Sequence, residues 1–133
     1  MEEWRSAVRR RLGAIAALAV CGAAQACELP AGKRLEGKQY LASYRTIPAR
    51  IPLGEHFVVE LSVCPRLASQ LPSRIELNAH MPEHRHGMNY RPQVAALGEG
   101  SYRSEGWLFH MPGRWEFVFE LGGDRLVDSV RIE

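Results

Sequence analysis

The stretch from His80 to Met88, H-M-P-E-H-R-H-G-M, gathers three of the chain's five histidines and two of its four methionines into nine residues. A second pair, His110-Met111, follows and is again succeeded by proline. Imidazole nitrogen and thioether sulfur form a donor set that suits copper, Cu(I) above all, better than zinc, magnesium or calcium. His84, His86 and Met88 stand at i, i+2 and i+4, which places them on one side of an extended segment, and His80 can contribute from a strand end. Three or four neutral donors suffice for Cu(I), and thioethers keep binding in mild acid, where imidazoles begin to protonate. The candidate ligands are therefore His80, Met81, His84, His86, Met88 and His110, for a copper ion with Cu(I) favoured and zinc left open.

The competing account is a surface loop whose histidines cap strand-end carbonyls while Met81 and Met88 pack over the rim of the core. If Trp107 and Phe109 face inward, alternation turns Met111 inward too, so His110 is the better ligand of that pair. His56 opens a strand and is expected to be an exposed edge residue. Arg85, Arg91, Arg103 and Arg114 read as solvated strand ends, with contact to a partner as the alternative. Enzymatic chemistry has little support: there is no G-x-S-x-G, H-E-x-x-H, C-x-x-C or phosphate-cradling glycine loop, and no paired carboxylates stand out.

These loops need a scaffold. Eight prolines interrupt every window after Cys27 long enough for an amphipathic helix. What recurs is a short β-rich run closed by turn residues: 39–47, 56–64, 74–79, 91–97, 102–110, 114–121 and 125–132. R-W-E-F-V-F-E-L alternates most cleanly, with Trp115, Phe117, Phe119 and Leu121 inward, and Gly122-Gly123-Asp124 after it signals a tight hairpin. About seven such runs predict an all-β, immunoglobulin-like antiparallel β-sandwich, with residues 28–38 as an irregular lead-in. Strands that alternate in direction deliver His56, His80, His84, His86 and His110 to one end of that sandwich. The same parity brings Cys27 and Cys64 to the other.

The N-terminus reads as a signal peptide over 1–26. Four arginines precede an apolar run of about 13 residues, Leu12 to Ala24, and Ala24-Gln25-Ala26 offers a cleavage site. The run is shorter than the roughly 20 residues that span a bilayer. Cutting there starts the mature domain, 27–133, at Cys27, which also suits a lipid anchor and peripheral membrane association, although Ala24 stands where a leucine is usual. The leader holds four arginines against two glutamates, so the formal +2 of the chain resides in it, and the mature domain is neutral despite a sequence pI near 8.6. No basic field remains to attract nucleic acid. Cys27 and Cys64 are an even pair suited to a disulfide in the periplasm or another oxidising compartment, with two free thiols as the alternative.

Three segments, A-H-M-P-E-H-R-H-G-M at 79–88, G-E-G-S-Y at 98–102 and G-W-L-F-H-M-P-G-R-W at 106–115, resemble the YtkA-like (FixH-like) family of small exported domains. The likeness covers nearly all of 27–133, and M-P-x-H-x-H-G-M is its most specific part. It implies an immunoglobulin-like sandwich outside the cytoplasm and an association with copper handling or maturation of exported redox enzymes. It carries His80, Met81, His84, His86 and Met88 over as ligands, with His84 standing where many members have a methionine. The expectation is a non-enzymatic periplasmic copper chaperone or buffer that delivers its ion to a protein partner. The alternative is a metal-free accessory module for maturation of an exported redox enzyme or membrane complex.

Overall fold

The computed structural model describes residues 26–133, and among them no helix forms; nine strands build two antiparallel sheets. The leader expected over 1–26 lies, apart from Ala26, outside the described residues. In chain order the strands are β1 (Lys33–Glu36), β2 (Tyr40–Ile47), β3 (His56–Pro65), β4 (Ile75–Met81), β5 (His86–Gly87), β6 (Gln93–Gly98), β7 (Ser101–Leu108), β8 (Gly113–Leu121) and β9 (Asp124–Ile132). One sheet runs β1-β2-β3-β7-β6 and the other β5-β4-β8-β9. If the seven expected strands are lettered A to G, the sheets read A-B-E-D and C-F-G, the arrangement of an immunoglobulin-type sandwich.

The inward residues are those that alternation selects. Tyr40, Ala42 and Tyr44 of β2, Phe57, Val59, Leu61 and Val63 of β3, and Trp115, Phe117, Phe119 and Leu121 of β8 are all buried. Trp107 and Phe109 join them, and Phe109 stacks on Trp115 with ring centres 4.4 Å apart. Burying one such side chain contributes about 1.5–3 kcal/mol through area removed from water.

Trp107 and Phe109 do not continue the parity of Ser104, which also points inward. Phe57 pairs with Trp107 but Val59 with Ser104, so β7 carries one extra residue there. Gly106, at φ +90°, takes the conformation this bulge requires.

Two strands were not expected. β1 forms within the presumed irregular lead-in, pairing Lys33–Glu36 against Leu41–Tyr44 with Leu35 as its one apolar residue. β5 is two residues long and pairs with the end of β4. It leaves the strand directions intact: β5 and β6 both run away from the same end, as one descending path that crosses between sheets at residues 88–92.

Cys27 and Cys64 form a disulfide with Cα atoms 5.8 Å apart, compatible with an exported protein. It closes the end of the sandwich opposite the histidines. The two sheets are also joined by Asp124, whose carboxylate accepts the backbone N–H groups of Gln39 (2.7 Å) and Tyr40 (2.9 Å). A Cβ on Gly37 would lie 2.2 Å from that carboxylate, so only glycine leaves room for it.

Candidate metal centre

The chain from Met81 to His86 is a hairpin. Met81 pairs with His86, the His84 N–H donates to the Met81 carbonyl at 3.2 Å, and Arg85 at φ +47° brings the chain back antiparallel. Four loop residues around a tight turn are a common hairpin solution. Directly opposed residues share a face, so His86 lies on the same side as Met81, and Met88, two residues on, follows it. Met81 is fully buried and Met88 is half-buried against the core. His80 belongs to the opposite, outward face.

The second contribution comes from the turn between β7 and β8. Its backbone is held in two places: the Phe109 carbonyl accepts the Gly54 N–H at 2.8 Å, and the Met111 carbonyl accepts the Trp115 indole N–H at 2.9 Å. Met111 packs half-buried against the core, as alternation predicts. His110, between the two anchored residues, rests edge-on against Trp115 with ring centres 5.6 Å apart. Gly113 completes the turn at φ +126°, where a Cβ would stand 2.9 Å from the Met81 methyl group.

These two elements bring His86 and His110 together. Their Nε2 atoms lie 2.6 Å apart and the rings meet at 74°. Without a metal, one Nε2–H must donate to the other ring's lone pair. The Nδ1 of His110 is buried with no hydrogen-bond partner among the described residues. Two imidazoles holding one ion at about 2.0–2.1 Å with a tetrahedral angle set their nitrogens about 3.3 Å apart. A separation of 2.6 Å therefore needs only a small opening of the pair to admit an ion. Two facing imidazole nitrogens, with the Met88 thioether carried on the same side of the hairpin, are donors that fit copper. Among the described residues no group of three or more His, Cys, Asp or Glu side chains converges as a metal site.

The other candidates are dispersed. His80 Nε2 lies 3.6 Å from the Glu116 carboxylate on the outer face of β4 and β8. His84 is exposed on the turn, and the left-handed residue after it breaks the alternation expected through His84, His86 and Met88. His56 is exposed at the same end of the sandwich, with Nδ1 3.1 Å from the Trp107 carbonyl and its ring against Tyr90. All five histidines do lie at this end, as strand parity requires, but only two touch.

Charge pairing fixes the outside of the hairpin. Arg114 Nε donates to Glu83 at 2.9 Å and Arg114 Nη1 to Glu116 at 2.7 Å. The hydrogen bond from Arg114 holds the Glu83 carboxyl below its ordinary range, and the same contact raises Arg114. Sequence reading placed Arg114 at this end without a partner; the strap to Glu83 links positions 31 residues apart, a distance no local pattern reports. A cavity of about 630 Å³ runs along β4 beside this network, lined by His80, Gly87, Arg91 and Glu120 among others, and the His86–His110 pair lies outside it. Comparison of the chain with protein-family models, with curated proteins and with solved structures finds no match.

Proposed function

We propose that this domain is an exported copper-binding protein, a chaperone or buffer that holds Cu(I) between His86 and His110 and passes it to a redox-enzyme assembly partner. The observation that carries the proposal is the approach of two Nε2 atoms to 2.6 Å from elements 24 residues apart. Met88 is the thioether of choice for a third donor, because it shares the His86 side of the hairpin. His80 and His84 are not ligands in this reading. The resemblance of 79–88, 98–102 and 106–115 to the YtkA-like family supports export and copper handling. An edge site with few ligands, on a two-residue strand, suits release to a partner better than permanent retention.

Titration with Cu(I) against a competing chelator tests this. One ion per chain is expected, and the His86→Ala/His110→Ala double variant should lose it. Unchanged affinity in that variant sinks the proposal.

A second reading rests on the same pair: its own N–H···N contact closes it without an ion, as a metal-free docking module for redox-enzyme maturation requires. Metal analysis of protein isolated from its native host separates the two, since only the first leaves copper in the sample.

A further inference from the structure

The hairpin that carries His86 and the turn that carries His110 are tied together a second time, on the outer face of the four-stranded sheet. Arg114 directly follows the first residue of β8, and Glu83 lies in the hairpin loop three residues before His86. Arg114 Nε donates to the Glu83 carboxylate at 2.9 Å; its Nη1 donates to Glu116 at 2.7 Å and to Ser129 Oγ at 3.4 Å. Glu116 of β8 and Ser129 of β9 are register partners, so two of these bonds root the guanidinium on the sheet and the third reaches the loop. A planar fork of donors holds carboxylates on two elements at once, which the single ammonium of lysine does not match. Little else restrains the loop. β5 has two residues, its register with β4 covers only His80 and Met81, and the turn bond from the His84 N–H is 3.2 Å long.

We propose that Glu83 and Arg114 form a positioning clasp for the ligand pair: while it is shut His86 is held against His110, and its opening sets the rate at which the ion leaves. The inference rests on the reading of these two histidines as copper ligands; Glu83 and Arg114 supply no donor to the ion and act through the hairpin alone. The two ties grip the hairpin from both faces, with 2.6 Å between the Nε2 atoms on the inner side and 2.9 Å between Arg114 and Glu83 on the outer. Both charged side chains are partly exposed, at 34 % and 56 %, so water screens the pair and its expected effect on release is only roughly 1.5- to 5-fold. A clasp of that strength suits hand-over to a partner, since it opens readily and closes again.

Three measurements test it. In metal-free protein, nuclear Overhauser contacts between the His86 and His110 ring protons should be present in the wild type and weakened in Glu83→Ala. Cu(I) dissociation, timed by capture with excess chelator, should be roughly 1.5- to 5-fold faster in Glu83→Ala and in Arg114→Lys. The double variant should release no faster than the faster single, because the two residues act as one unit. Raising the ionic strength from about 0.01 M to about 1 M with perchlorate, which does not bind Cu(I), should speed release from the wild type and leave Glu83→Ala unchanged. Glu76→Ala, which breaks the exposed Arg74–Glu76 pair near the opposite pole, should change none of these readings. Glu83→Ala that keeps the ring contacts and the wild-type release rate, or that responds to salt as the wild type does, overturns the clasp. A wild type that binds no Cu(I) overturns the copper reading instead, and the ring contacts then decide the clasp on their own.

Discussion

If His86 and His110 grip one ion, copper must stabilise the fold, and the size of the effect follows from linkage. A ligand that binds only the native state at about 100 times its dissociation constant adds about 2.7 kcal/mol. For a domain of this length, each kcal/mol moves the unfolding midpoint by roughly 4–8 °C, so buffered Cu(I) should raise it by roughly 10–20 °C. Removing one of two imidazoles 2.6 Å apart leaves a lone nitrogen. Even a 100-fold loss of affinity, about what disturbing a supporting shell costs, leaves only about 0.4 kcal/mol at the same free copper, a shift of roughly 2–3 °C. His86→Ala and His110→Ala should therefore both lose most of the increment. His80→Ala and His84→Ala should keep it, because one imidazole sits against Glu116 and the other stands on the exposed turn. The assay is scanning calorimetry with Cu(I) held by a chelator and no thiol present, so that the disulfide stays closed. The increment, not the midpoint, is compared, since His110 also packs on Trp115 and its loss lowers the metal-free midpoint. A full increment in His86→Ala, or its loss in His80→Ala, refutes the assignment of the pair.

Three further expectations concern the scaffold. Asp124→Ala strands the N–H groups of Gln39 and Tyr40 and should cost about 2–6 kcal/mol in urea unfolding, at about 1–3 kcal/mol for each unpaired group. Replacing Cys27 and Cys64 by serine opens a loop closed across a sequence separation of 37 and should cost about 4 kcal/mol in the chain-entropy picture, read by the same method. Burial, then the hydrogen bond to Asp128, pushes the Tyr44 hydroxyl far above its usual value of 10.0. The native state thus holds a proton that the unfolded chain gives up near pH 10, and stability should fall as pH rises through and beyond that value; Tyr44→Phe should flatten the decline in alkaline unfolding curves.

Most of the fold was legible because the core is written in period two. The alternation in β3 and β8 selects the residues that are buried, and the Gly122-Gly123 turn between β8 and β9 falls where the glycines stand. What escaped was decided at long range. β1 has one apolar residue, so nothing local distinguishes it from a loop; it is a strand because β2 offers it an edge. Asp124 reads as a turn residue, yet it bridges two sheets through backbone groups more than 80 residues away. β5 exists because Arg85, not a glycine, takes the left-handed conformation, and no residue type announced that.

The same contrast explains how far the site could be read. Direction along a strand is cumulative, and the two unexpected strands leave it intact: β1 precedes the count and β5 runs the same way as β6, so all five histidines still reach one pole. Orientation is local and flips with every residue. The expected strand stopped at Ala79, whereas β4 continues to Met81, and those two residues send His80 outward and Met81 into the core. One left-handed residue then separates His84 from His86. The pair that meets is the pair whose backbones are tied down: His86 by its register with Met81, His110 by the indole of Trp115 gripping the next carbonyl. A set of side chains counted along the chain overstates what meets in space, because the fold brings together only the subset whose backbone it holds still. Here that subset is His86 of β5 and His110 of the turn between β7 and β8, the latter set against the buried Trp115.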